Sequence, residues 1–144
     1  MRDRDASPEG SATEPPATAS GPGRVLVAVY AIFAVGATSR AAAQIATRFG
    51  EAPVPYALSA LAALVYVLAT LALARRGVRW WRVAVLACAF EMTGVLVVGT
   101  VSVVLPGAFP DATVWSNYGM GYLFIPLVLP VFGLWWLRRT APRR

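Results

Sequence analysis

Residues 83–105 read VAVLACAFEMTGVLVVGTVSVVL, an apolar run interrupted by a single acid, Glu91. Coiled as an α-helix at ~1.5 Å per residue, such a run covers the ~30 Å hydrocarbon layer of a bilayer, and a helix apolar on every side belongs in a membrane or deep inside a large core. Working outward, stretches 25–47, 55–74 and 119–137 have the same length and character. The pattern predicts an all-α protein, a four-transmembrane-helix bundle over 25–138 with spans at about 25–47, 55–74, 83–105 and 119–137. Residues 1–24 are rich in Pro, Ala, Ser, Thr, Gly and Glu and carry no aromatic or aliphatic β-branched residue. Such a segment has too little to bury to offset its ordering entropy, so a disordered N-terminal tail is expected. Residues 139–144 form a short basic C-terminal tail.

The composition agrees: 58% of the 144 residues are hydrophobic and only 14% charged. There is no His and one Cys. A Ser-His-Asp triad, a His-ligated metal and a Cys-x-x-Cys redox pair are therefore excluded within these residues, and no catalytic, cofactor-binding or metal-ligating set is expected. The net charge of +6 suggests a polyanion partner only until the arginines are placed. They cluster at helix ends, Arg75, Arg76, Arg79 and Arg82 after the second stretch and Arg138, Arg139, Arg143 and Arg144 after the fourth. Positively charged short loops stay cytoplasmic, so the expectation is no nucleic acid and a multi-pass protein of the inner (plasma) membrane with both termini cytoplasmic. Trp80, Trp81, Trp135 and Trp136 are expected at the inner boundary, and Tyr56, Trp115 and Tyr118 at the outer one. Ala41 to Ala43 imitate a leader-cleavage site, but the preceding segment is long and acidic and Arg40 is unfavourable there, so an uncleaved helix is expected.

Two ionisable residues lie inside spans, Arg40 and Glu91, where an unpaired charge costs ~2.5 to 3.5 kcal/mol or more. Counting helical rise, Arg40 lies roughly 24 Å above the inner boundary and Glu91 roughly 13 to 14 Å, so simple geometry does not pair them. Arg40 can raise its long stem toward the outer interface and toward Glu51 or Asp111, or with Gln44 form an external site for an anion or a lipid headgroup. Glu91 is depth-matched to Tyr66 on the second helix, and Pro126 and Pro130 free the carbonyls of Tyr122 and Pro126 as further hydrogen-bond acceptors. Glu91, Tyr66, Arg40 and Gln44 thus form the candidate intramembrane polar site, either a structural hydrogen bond or a proton-coupled or cation-binding carboxylate. Cys88, one turn from Glu91, is expected to be inert packing.

On the third helix Ala84, Ala87, Cys88, Glu91, Gly94, Val98 and Ser102 make a small-residue stripe that should face protein, with Leu86, Phe90, Val97, Val101 and Val104 opposite. A comparable stripe on the first helix runs through Gly36, Arg40, Ala43, Gln44 and Thr47. The loop 106–118, PGAFPDATVWSNY, is the one long connection, and Gly119-Met120-Gly121 after it marks either a flexible helix entry or close backbone packing, the second being preferred.

With SRAAAQIATRFGEAPVPYALSALAALVYVLATLALARR at 39–76, Glu91, and FPDATVWS at 109–116, the chain resembles the small four-helix integral membrane proteins of high-GC actinobacteria, an uncharacterised family. The resemblance implies a bundle over about 24–139 and no activity for any residue. Small multidrug exporters share the size and a membrane carboxylate, but theirs lies in the first helix, where this chain has Arg40. The expected function is a non-enzymatic membrane protein, a structural or accessory subunit among membrane lipids, forming a homo-oligomer or part of a larger membrane complex. The alternative is a small oligomeric solute or ion-coupled transporter using Glu91.

Overall fold

The computed structural model describes residues 21–142. The expected disordered tail falls almost wholly on residues 1–20 and the last two arginines on 143–144, outside the described residues. Four α-helices follow one another: α1 Gly21–Arg48, α2 Pro53–Ala74, α3 Val78–Val104 and α4 Ile125–Arg139, with short 3-10 turns at Pro106–Ala108 and Ser116–Tyr122 between the last two. There is no strand among the described residues. Helix α1 therefore starts at Gly21, a few residues before the expected first span. Pro22 causes no break there, because first-turn N–H groups have no helical acceptor to lose. Proline likewise occupies the first turn of α2. The α2–α3 turn passes through Gly77 at φ +107, a backbone conformation that a side chain would strain.

Three helices, α1, α2 and α3, are long and apolar enough to cross a membrane. The expected fourth span, 119–137, is not one straight helix. Ser116–Tyr122 and Ile125–Arg139 are bent by 100° to one another, and only the bent pair together passes as a span. Helix α4 alone has 15 residues and reaches only about 22 Å. The cause is local. Leu123 and Phe124 turn through positive φ of 56° and 59°, and Pro126, in the first turn of α4, has no N–H with which to continue a helix from the residues before it. Gly119 lies directly on Pro126: a Cβ built there would come within 2.8 Å of the proline ring. Close packing at Gly119-Met120-Gly121 is thus real at Gly119, while nothing approaches Gly121 within 4 Å.

Helices α1 to α4 pack in chain order, α1 on α2, α2 on α3 and α3 on α4, and a looser contact between α1 and α4 closes the ring. Ala62, Ala63, Ala69 and Ala72 of α2 are buried, letting neighbouring backbones approach closely. On α3 the small-residue face behaves as expected: Ala84, Ala87, Cys88, Glu91, Val98 and Ser102 are buried, whereas Leu86, Phe90, Val97 and Val104 are exposed. On α1 the expected stripe is wrong. The packed face is Gly23, Leu26, Tyr30, Ala34 and Ala41, and Gly36, Ala43 and Thr47 are exposed. Leu26 and Tyr30 fill most of the space between α1 and its neighbours, with Gly23, Ala34 and Ala41 on the same face.

At one end of the bundle the tryptophans gather. The Trp81 indole donates to the Leu137 carbonyl at 3.0 Å, Arg75 stacks over Trp80 and Arg139 over Trp135. At the other end Trp115 departs from expectation. It is 1% exposed and does not rest on a membrane surface.

Candidate functional site

The segment between α3 and α4 folds back onto α3. Its tip is a turn built by side chains: Thr113 Oγ1 accepts from the backbone N–H groups of Trp115 and Ser116, and Ser116 Oγ accepts from that of Thr113 at 2.9 Å. Asn117 N–H donates to Ser102 Oγ at 2.8 Å, and that hydroxyl donates to the Gly99 carbonyl. The turn aims the Trp115 ring at Gly94, where an added Cβ would meet ring carbon at 2.7 Å. Gly94 lies about 15 Å below the end of α3, so the indole reaches well into the bundle. Tyr118 covers Gly99 in the same way, and its hydroxyl lies 2.9 Å from that of Thr100. Tyr56, also expected at the outer boundary, is 1% exposed and donates to Asp111 Oδ2 at 2.8 Å, tying α2 to this loop.

Beneath that roof lies Glu91, 0% exposed. Its Oε2 accepts from the hydroxyl of Tyr30 on α1 at 2.8 Å. With the tyrosine proton so committed, the Cys88 thiol at 3.3 Å donates to the same phenolic oxygen. Gly133 of α4 makes room for the group: a Cβ there would come within 2.9 Å of Cys88 Sγ and 3.4 Å of the Tyr30 hydroxyl. A tyrosine, a thiol, a carboxyl and a glycine therefore join α1, α3 and α4 at one point. Tyr66 comes from α2, its ring 6.2 Å from that of Tyr30. Its hydroxyl is buried without a hydrogen-bond partner, as are Glu91 Oε1 and Trp115 Nε1. The expected hydrogen bond from Tyr66 is replaced by one from Tyr30, and neither freed carbonyl of the fourth helix takes part. Tyr122 is not in that helix at all.

Arg40 lies elsewhere. Its guanidinium donates to the Tyr122 hydroxyl and, at 2.7 Å, to the Ala112 carbonyl. It pairs with neither Glu51 nor Asp111: Glu51 is held by Arg48 at 2.7 Å, the one salt bridge among the described residues, and Asp111 by Tyr56. Gln44 has a buried Oε1 without a partner and does not join Glu91. The four candidate residues thus divide into Glu91 with Tyr66 inside the bundle and Arg40 with Gln44 along the upper part of α1. No group of His, Cys, Asp and Glu among the described residues is placed to hold a metal ion.

Sequence reasoning missed Tyr30 and Trp115. Tyr30 had a signal, being the only hydrogen-bonding side chain between Arg24 and Thr38. Trp115 had a weaker one in Gly94 and Gly99, two flat places on α3 that something had to fill. No protein-family profile, curated protein or solved structure matches the chain.

Proposed function

We infer that this is a non-enzymatic, multi-pass integral membrane protein that serves as a structural or accessory subunit. The broad statement, several apolar helices suited to a membrane, stands on the helices themselves. The accessory role is carried by one observation: the single acid of the apolar core is sealed at 0% exposure and spent on a tyrosine of another helix. A carboxyl so used holds helices together and is closed off from solvent. Outside, Ile32, Val35, Leu86, Val103 and Val104 are exposed apolar side chains, suited to lipid or to neighbouring membrane helices. The bent pair before and within α4 serves as the fourth span in this reading, with the arginine-rich ends cytoplasmic and the plasma membrane as the site. The resemblance to four-helix actinobacterial membrane proteins fits the same picture.

A transporter is the second reading, and the three unpartnered polar atoms of Glu91, Tyr66 and Trp115 favour it. Buried polar groups without partners carry a standing cost that a passing proton or solute could relieve. Crosslinking in native membranes, with identification of what copurifies, separates the two. A stoichiometric partner protein is the expected result; a homo-oligomer alone supports the transporter.

A further inference from the structure

The α1–α4 seam is the weakest contact around the bundle, and it opens sideways as a groove. Near the tryptophan end a cavity of about 470 Å³ lies between Val25 and Val29 of α1 and Ile125, Val128 and Phe132 of α4. A second, of about 230 Å³, lies further along the same side of α1, past Ile32 and Gly36 to Arg40 and Tyr122, where Ser59 of α2 and Val114 of the loop face it in place of α4. Val29 and Ile32 are one turn apart, and Ile125 follows Tyr122 closely in the chain, so the two stand end to end. From Val25 to Arg40 the run is about 22 Å, against ~15 Å for the acyl layer of one leaflet.

The groove is apolar along its length and cationic at one end. Of the five N–H donors of a guanidinium, Arg40 uses two, on Tyr122 and Ala112. No carboxylate among the described residues lies within 4.0 Å of it, since Arg48–Glu51 is the one ion pair. The acids of this part of the chain are spent: Glu51 on Arg48, Asp111 on Tyr56 and Glu91 on Tyr30. The described part of a second copy therefore has no free carboxylate to offer Arg40, whereas an anionic lipid supplies an acyl chain and a negative headgroup in one molecule. We propose that the groove along α1, bordered by α4 at one end and by Ser59, Val114 and Tyr122 at the other, is a binding site for an anionic phospholipid, with an acyl chain along Val29, Ile32 and Gly36 and the phosphate on Arg40. The inference requires a bilayer but not the accessory role, and its test does not depend on any partner protein.

Full-length protein reconstituted into vesicles of equal phosphatidylglycerol and phosphatidylcholine would be extracted in mild detergent and its retained lipids counted by native mass spectrometry. Wild type should retain phosphatidylglycerol over phosphatidylcholine by about fivefold, roughly what one basic residue is worth at an anionic surface. Arg40→Gln should abolish the preference. Gly36→Leu fills the groove at a position where nothing lies within 4 Å and should remove retained lipid of either kind without lowering the melting temperature. Because Arg40 also braces the loop, Gly36→Leu decides the matter if the glutamine variant misfolds. Equal retention of the two lipids by wild type, unchanged retention in Gly36→Leu, or displacement of the lipid by excess inorganic phosphate would each overturn the proposal.

Discussion

Glu91 and Arg40 are both ionisable residues within long apolar helices, and their surroundings differ in every respect. Glu91 has a short stem, a position about 20 Å along α3, no exposure, and a single hydrogen-bond partner, Tyr30 of another helix. Arg40 has a long stem, stays partly exposed, and reaches a loop carbonyl and a phenol at the end of the bundle. Stem length against distance from the interface decides which solution is open to each. A glutamate in mid-helix has to be enclosed by protein, while an arginine nearer the end can be supported by the loop and still face lipid. The enclosed residue holds the helices together, and the supported one remains available to a ligand.

The largest test of this contrast is Trp115→Ala, which removes the roof over the Glu91 group. Loss of a buried tryptophan should cost about 3 to 5 kcal/mol, read as a large fall in detergent melting temperature. The Cys88 thiol, the only one in the chain, should then react faster with a small thiol reagent. Unchanged melting would mean that the loop does not seal the centre. Next in size is a pair on the two tyrosines. Tyr30→Phe strips Glu91 of its donor and should destabilise by about 0.6 to 2 kcal/mol; Tyr66→Phe removes a hydroxyl without a partner and should be neutral or slightly stabilising. A reversed order would exchange their roles. The smallest effect belongs to Arg40→Gln, whose global stability should stay within about 0.5 kcal/mol of wild type, while limited proteolysis within 105–124 becomes faster. A variant that fails to insert would show that Arg40 supports the bundle as well as the loop.

The sequence made some of this legible and hid the rest for identifiable reasons. Helices α2 and α3 follow from hydropathy alone, and the buried face of α3 from its small residues, because Ala84, Ala87, Cys88 and Glu91 recur at helical spacing. The face of α1 did not follow, since Leu26 and Tyr30 pack inward and Gly36 looks out, a choice made by the partners α2 and α4. The start of α4 was hidden because Gly119 contacts Pro126 across a sharp bend that hydropathy averages over. Glu91 stood out as an acid in an apolar run, but depth matching named Tyr66 where Tyr30 is the residue that donates to it. Trp115 was misplaced because an interfacial tryptophan and one that folds back into a bundle have the same local sequence; only the glycines opposite it on α3 distinguish them.

The central claim is that Glu91 is a structural strut, and the most direct measurement compares Glu91→Gln with Glu91→Leu, by thermal melting in detergent and by growth of strains carrying each allele. Glutamine keeps an acceptor for the Tyr30 hydroxyl at nearly the same shape. It should melt like wild type and support growth, while leucine should weaken the bundle by about 0.6 to 2 kcal/mol. A glutamine variant that melts like wild type yet fails to support growth would contradict the claim, because a side chain that must change charge, and not merely hold a hydrogen bond, would then be what the protein requires.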